Sequence, residues 1–356
     1  MKRASRGRFC GAWGRAILTA MASHTALPPD DSASDDVAAE IPANLRPDPS
    51  DYRYDLEKTL RSVVGLRASV PADAYTAPSL GTDRVGSGAV IGAGDLVLTV
   101  GYLINEADRV WLITADGRAV PGHALAVDPT TGFGLVQPLG RLGMPALELG
   151  NSTTVPIDTP LVLAAGGGRE HAIETRLSGR QEFAGYWEYL LEEALFTTPA
   201  HPYWSGSALL DADGKLLGIG SLILQQGDDK HRMDMNMVVP ISLLAPVLED
   251  LSTIGYTRTT PRPWLGLYAM DSDGGIVVGG ISPRSPAEVA GLRQGDHILA
   301  LGGEDVLDLA SLWRKLWACG PAGTEIRLRI GRDGEVRTLR LASADRRSFL
   351  RAPRVH

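Results

Sequence analysis

Apolar residues recur along this chain in short runs cut by Gly, Pro and Asp. Ala89-Val90-Ile91, Leu96-Val97-Leu98, Val110-Trp111-Leu112-Ile113, Gly134-Leu135-Val136 and Leu161-Val162-Leu163-Ala164 each span a few residues between turn signals. Runs of this length and spacing predict a mostly β chain of short strands closed into a sandwich or barrel. Tyr54 to Val64 alternates charge with Leu56, Leu60 and Val63-Val64, which predicts a short amphipathic helix running into a strand. Pro240 to Leu251 places Leu243, Leu244, Val247, Leu248 and Leu251 on one helical face, with Gly255 as the stop. The Thr-Arg-Pro-rich stretch Thr257 to Pro263 then predicts a linker. Met233, Met235 and Met237 alternate with Asp234 and Asn236, a period of two that predicts a strand with one buried face rather than a metal or cofactor site.

Beyond the linker the pattern describes a smaller unit. It begins at Trp264-Leu265-Gly266-Leu267, shows the apolar runs Ile276-Val277-Val278 and Ile298-Leu299-Ala300-Leu301, and closes with a helix over Leu309 to Trp317 and two strands turning at Asp333-Gly334. Leu309, Leu312, Trp313 and Leu316 form an apolar wall on that helix, either core or one side of a pocket.

Composition narrows the classes. At 356 residues and 44% hydrophobic content the chain has room for two or three packed domains. A net charge of −7 gives no broad nucleic-acid or anionic-membrane footprint. No apolar run is long enough for a membrane helix. The two cysteines, Cys10 and Cys319, are far apart, so no structural disulfide is expected. No His/Cys/Asp/Glu cluster has metal-ligand spacing, and Gly166-Gly167-Gly168 lacks the Lys-Ser/Thr of a phosphate loop, so neither metal nor cofactor is expected.

At the N-terminus, Lys2, Arg3, Arg6 and Arg8 precede the apolar Ala16-Ile17-Leu18-Thr19-Ala20-Met21-Ala22. A basic start, an apolar middle and small residues are the parts of a secretory signal, but Arg15 interrupts the middle. The weak signal favours the cytoplasm slightly over the periplasm. Pro28 to Pro49, rich in Asp, Ala, Ser and Pro, predicts an acidic linker.

The candidate chemistry centres on Trp204-Ser205-Gly206-Ser207, followed by the strand-like Ala208-Leu209-Leu210. This resembles the nucleophile loop of the HtrA (Deg) group of trypsin-like serine proteases, with Ser205 at the nucleophile. Gly86-Ser87-Gly88-Ala89-Val90-Ile91 is similar to that family's opening strand. Leu98-Thr99-Val100-Gly101-Tyr102 falls where the family carries its catalytic histidine, which puts Tyr102 in its place. Asp128-Pro129-Thr130-Thr131-Gly132 falls where the family carries its aspartate, which puts Gly132 there. Tyr203 stands where a family glycine turns its backbone N–H into the oxyanion hole. In the smaller unit, Ser285-Pro286-Ala287, Ala290-Gly291-Leu292 and Gly295-Asp296 resemble the permuted PDZ domain that follows the protease in HtrA proteins.

The resemblance implies a chymotrypsin-like double β-barrel followed by a permuted PDZ domain. Its organisation would be an N-terminal tail and linker over 1–50, a protease-like domain over 51–256, a linker over 257–263, the PDZ domain over 264–345 and a tail over 346–356. Trp264, Leu265, Gly266 and Leu267 would capture the C-terminus of a peptide, with Leu312 and Trp313 on the facing helix. Family members are typically trimers, so a homotrimer is allowed. Because a serine hydroxyl needs a base and the base an orienting group, Tyr102 and Gly132 imply a pseudoprotease that binds polypeptide segments or C-termini. The alternative is an active serine endopeptidase in which Ser205 uses a non-standard base, His201 being nearest in sequence. His123, His171 and His231 read as exposed loop residues. The aromatic segment Phe183 to Tyr189 is either a core patch or a peptide-binding or subunit-contact loop beside the cleft.

Overall fold

The computed structural model describes residues 40–92, 96–227 and 232–351. The N-terminal basic and apolar segments therefore lie outside the described residues, as does His231. Six strands form a first closed barrel: β1 (Val63–Ser69), β2 (Asp83–Ile91), β3 (Leu96–Val100), β4 (Arg109–Ile113), β5 (Ala119–Val127) and β6 (Phe133–Pro138), hydrogen-bonded in the order β1-β2-β3-β6-β5-β4. Six more form a second: β7 (Pro160–Ala164), β8 (Ala172–Gly185), β9 (Tyr189–Thr198), β10 (Ala208–Leu210), β11 (Leu216–Gln226) and β12 (Met233–Pro240), with the equivalent order β7-β8-β9-β12-β11-β10. Closure removes the sheet edges, and the inward-facing side chains fill each interior. Phe133, Leu135, Leu98 and Leu112 are fully buried in the first barrel, and Leu195 and Leu209 in the second. Each such side chain contributes roughly 2–3 kcal/mol of burial free energy.

The third unit is an antiparallel sheet with order β13 (Leu267–Ser272), β14 (Gly275–Ile281), β15 (His297–Leu301), β17 (Glu325–Arg332), β18 (Glu335–Ala342), with the short β16 (Glu304–Asp305) paired to β15. Its main helix, Leu309–Ala318, opens on a capping box between Asp308 and Ser311 and buries Leu309, Leu312, Trp313 and Leu316 against the sheet. The predicted turn at Asp333-Gly334 joins β17 to β18, as the pattern requires.

Several expectations are corrected. Within the segment expected to be tail and linker up to residue 50, Ile41 is 3% exposed, packed in the cluster of Leu161, Leu163, Ile173 and Leu217, while most of its neighbours are exposed. One apolar residue meeting an apolar wall outweighed the acidic composition around it. The assigned tail is docked up to Arg351, with Phe349 against Trp264 at 4.8 Å and the Arg351 N–H donating to Glu106 at 3.0 Å. The predicted 240–251 helix divides into a 3-10 turn, Ile241–Leu243, and an α-helix, Ala245–Thr253, because Pro246 has no N–H to give and is tolerated only in a first turn. On β12 Met233 is exposed and Met235 and Met237 are buried, but Asn236 is buried too. The strand exists, yet it is not amphipathic.

The β8–β9 hairpin is the longest in the molecule's second barrel and went unread as strands. Its tip, at Gly185–Tyr189, leaves the barrel and enters the third unit. Leu190 is part of that unit's apolar core, with Ala184 packed against it.

Candidate active site and peptide groove

Tyr102 sits on the one-turn helix Gly101–Ile104 that follows β3, so the first barrel aims it at the seam between barrels. Ser205 sits in the turn before β10. That turn is stitched to both barrels: the Gly206 N–H donates to Gly220 O at 2.9 Å, Gly220 N–H to Ser207 O at 2.7 Å, and Ser87 N–H, from β2, to Ser205 O at 2.8 Å. Gly206 has φ +75°, and a β-carbon there would lie 1.9 Å from Ser87 O. Only glycine fits so close to a backbone carbonyl in that conformation.

The two residues placed at the nucleophile and histidine positions meet. Tyr102 Oη lies 2.9 Å from Ser205 Oγ and donates its proton to Ser221 O at 2.7 Å. A β-bulge between Gly220 and Leu222 leaves Ser221 outside the β11–β12 ladder and turns its carbonyl to this task. With its single proton committed, the Tyr102 oxygen accepts from Ser205. Burial pushes the Tyr102 phenol up to about 12, the Ser205 hydrogen bond opposing that rise. The partner of Ser205 is thus the Tyr102 phenol oxygen.

Gly132 carries φ +83° and has the Tyr189 hydroxyl over it, 2.8 Å from where a β-carbon would stand. That hydroxyl donates to Thr131 O at 2.7 Å. Asp128, the nearest carboxylate in sequence, is turned into its own loop, accepting from the Thr131 N–H at 2.9 Å and its hydroxyl at 2.7 Å.

Tyr203 and His201 form a second lock. The Tyr203 N–H, at the expected oxyanion position, donates to His201 Nδ1 at 2.8 Å, and His201 Nε2 donates to His171 O at 3.0 Å. These two bonds fix the tautomer and occupy both ring nitrogens. The His201 N–H donates in turn to Asn236 Oδ1 at 2.6 Å. Burial holds His201 down at about 4, against the raising effect of the His171 carbonyl, so the ring is neutral. His201 thus spends both ring nitrogens on the loop backbone rather than on Ser205. His171 stacks on Tyr203 at 5.6 Å.

The expected peptide-binding residues also converge, but their site is filled. Leu265, Leu267, Leu312 and Trp313 are all buried, and Trp264 is 8% exposed. The N–H groups of Gly266, Leu265 and Leu267 point to one carboxylate oxygen, Oε1 of Glu188, at 2.7, 3.0 and 3.2 Å. Burial raises the Glu188 carboxyl to about 7, while those N–H groups and Arg346 pull it back down. The aromatic segment Phe183–Tyr189 packs within the chain: Phe183 and Tyr189 are buried, and Trp187 stacks on Tyr189 at 5.5 Å. Glu188 was missed because its partners lie 77–79 residues away. The local signal was an acid inside an aromatic run.

Comparison with known proteins agrees with this architecture. The model of the trypsin-like peptidase domain matches residues 86–219, and that of the PDZ domain matches 263–342. The chain is similar to a probable periplasmic serine endoprotease DegP-like of Pseudomonas fulva (25% identical over 272 residues, 72% of this chain and 55% of the relative). It is similar also to the one of Halomonas elongata (24% over 275 residues, 73% and 56%) and to the putative serine protease HhoA of Synechocystis (25% over 256 residues, 64% and 63%). The chain spans about half the length of the DegP-like relatives it matches. Among solved structures, a substituted form of the HtrA-type protease AlgW with tripeptide covers 84% of this chain and 97% of its own, at 22% identity and a TM-score of 0.50. The expectation of a cytoplasmic protein is corrected by the relatives named periplasmic endoproteases, which point to the periplasm. Among the described residues no helix is long and apolar enough to cross a membrane. The chain thus carries a match to the trypsin-like peptidase domain followed by a match to the PDZ domain, in the order and fold of the HtrA-type proteins it is similar to.

Proposed function

We propose that this protein is a catalytically silent HtrA-like module that holds polypeptide segments or C-termini in the periplasm. The observation that carries the reading is the proton arrangement at Ser205: it donates to Tyr102, whose own proton is given to Ser221 O. Nucleophilic catalysis needs a base that accepts the serine proton and later returns it to the leaving group. A neutral phenol held up at about 12 does neither. Stabilisation of a tetrahedral intermediate needs donors aimed at the developing oxyanion, and the Tyr203 N–H is spent on His201.

Binding is supported from the other domain. Three consecutive N–H groups gather on a carboxylate oxygen, and this is how PDZ-type loops hold the terminal carboxylate of a captured strand. The test of silence is direct. Incubation of the full chain with a fluorophosphonate and with unfolded casein should give no labelling and no cleavage. Labelling lost in Ser205→Ala would overturn the reading and make the chain a serine endopeptidase.

A further inference from the structure

The strand that a PDZ-type groove would capture is already present in this chain. Tyr186-Trp187-Glu188 runs antiparallel to the edge strand β13. The Ala269 N–H donates to Tyr186 O at 2.7 Å, Trp187 bridges to Tyr268, and Glu188 ends the run at the Leu265–Leu267 loop. The opposite wall takes part, Trp313 Nε1 donating to Gly185 O at 2.8 Å. Arg314, next along that helix, pairs with Glu182 and Glu192 on the two arms of the hairpin.

Each contact reproduces a part of peptide capture. Main-chain bonds to a sheet edge supply affinity, and backbone N–H groups hold a carboxylate at the end. We propose that the β8–β9 hairpin is an internal ligand of the PDZ groove, the Glu188 side-chain carboxylate occupying the place of a peptide's terminal carboxylate, so that free C-termini bind only when the hairpin leaves. The inference rests on the peptide-binding reading above and names what competes for that site.

The geometry sets the ligand class. Gly266, at φ +77°, gives its N–H to Glu188 at 2.7 Å, and a β-carbon there would meet Ser285 Cβ at 2.3 Å, so only glycine holds that N–H toward a carboxylate oxygen. An external competitor must carry a free carboxylate after an extended segment able to replace Tyr186 and Trp187 on β13. A side-chain carboxylate and a terminal one are chemically alike, and the internal one has the advantage of tethering. If the groove is open in one molecule in ten, apparent affinity for an external peptide falls about tenfold.

The test compares the full chain with Glu188→Ala and Glu188→Gln. Fluorescent decapeptides ending in Val, Leu, Ile, Phe or Trp are titrated as free acids and as amides, and amide hydrogen exchange is followed at residues 265–267. The proposal expects faster exchange at 265–267 in Glu188→Ala and at least a tenfold gain in affinity for one or more free acids, with none for the amides. Glu188→Gln, which keeps one acceptor, should fall between. Faster exchange without peptide binding in any variant would uphold the internal ligand and overturn the peptide-binding function. Unchanged exchange in folded Glu188→Ala, or wild-type chain that binds free acids as tightly as the variant, would overturn the internal ligand.

Discussion

A β-carbon on Gly132 would lie 2.8 Å from the Tyr189 hydroxyl, inside van der Waals contact. The position that holds a catalytic aspartate in the resembled family is therefore closed by a tyrosine from the other barrel. That tyrosine is anchored by its bond to Thr131 O and by stacking on Trp187. The loss of the carboxylate and the docking of the hairpin are linked through this side chain, since Tyr189 directly follows Glu188.

Gly132→Asp should consequently destabilise the protein rather than repair it. Overpacking a filled site costs about 1–3 kcal/mol, and the left-handed backbone adds strain for a side chain. Urea unfolding should show a lower midpoint for Gly132→Asp, with part of the loss recovered in Gly132→Asp with Tyr189→Phe. The combination Tyr102→His with Gly132→Asp should still fail to label with a fluorophosphonate. Labelling by that double variant would mean that the tyrosine yields and the Tyr203 lock opens.

Much of this arrangement was legible in the sequence, and the reason is local. Ser205 and Tyr102 are flanked by short motifs whose resemblance to one family's site put them at its nucleophile and histidine positions, and the structure brings them 2.9 Å apart across 103 positions. Glu188 had no such frame. Its role depends on the reach of a hairpin and on N–H groups that any residue possesses, and side-chain patterning carries neither. Asn236 defeated the period-two reading for a related reason: it is buried because His201 needs its carbonyl, a pairing no alternation reveals. Ile41 shows the limit of composition, one apolar residue outweighing an acidic neighbourhood.

Gly206→Ala should be among the most damaging single substitutions in the second barrel. Its β-carbon would stand 1.9 Å from Ser87 O and 2.6 Å from Thr99 Oγ1, which itself donates to that carbonyl. Relief requires the turn to leave β2, breaking the bond from Ser87 N–H to Ser205 O. A loss of at least about 3 kcal/mol is expected, at the upper end of single-site effects. Ser205→Ala removes one hydrogen bond to Tyr102 and should cost about 1 kcal/mol. Equal midpoints for the two variants in urea would refute the stated geometry.

Arg332 and Asp296 provide a test confined to the PDZ domain. The guanidinium Nε and Nη2 each lie 2.6 Å from a carboxylate oxygen, and the two side chains are 10% and 2% exposed. Asp296 also accepts from the Arg293 N–H at 2.8 Å. Arg332→Ala leaves the Asp296 carboxylate without its cation and should lower the urea midpoint of the protein. Arg327 and Arg340, exposed beside Glu325 at 3.9 Å, should each cost under about 1 kcal/mol when replaced by Ala. A comparable loss from Arg327→Ala would show that burial is not what distinguishes the pairs.

The pH dependence of stability should carry the mark of His201. Its folded value, about 4, lies below the ordinary 6.5 because the ring is buried and both nitrogens are engaged. The unfolded chain therefore takes up a proton between those values that the folded chain refuses. The stabilisation from this residue is complete above pH 6.5 and is lost as the pH falls toward 4. A difference of this size corresponds to roughly 3–4 kcal/mol at most, at about 1.4 kcal/mol per unit. His171, through the carbonyl it presents and its own ring, is the neighbouring titratable group and should be held constant in the comparison. His201→Gln offers a donor and an acceptor without a charge to gain. Urea midpoints measured from pH 4 to 8 should slope upward more steeply for the wild type than for His201→Gln below pH 6.5, and run parallel above it. Parallel slopes throughout would place His201 in water rather than behind the nucleophile loop, and would return it to consideration as the base for Ser205.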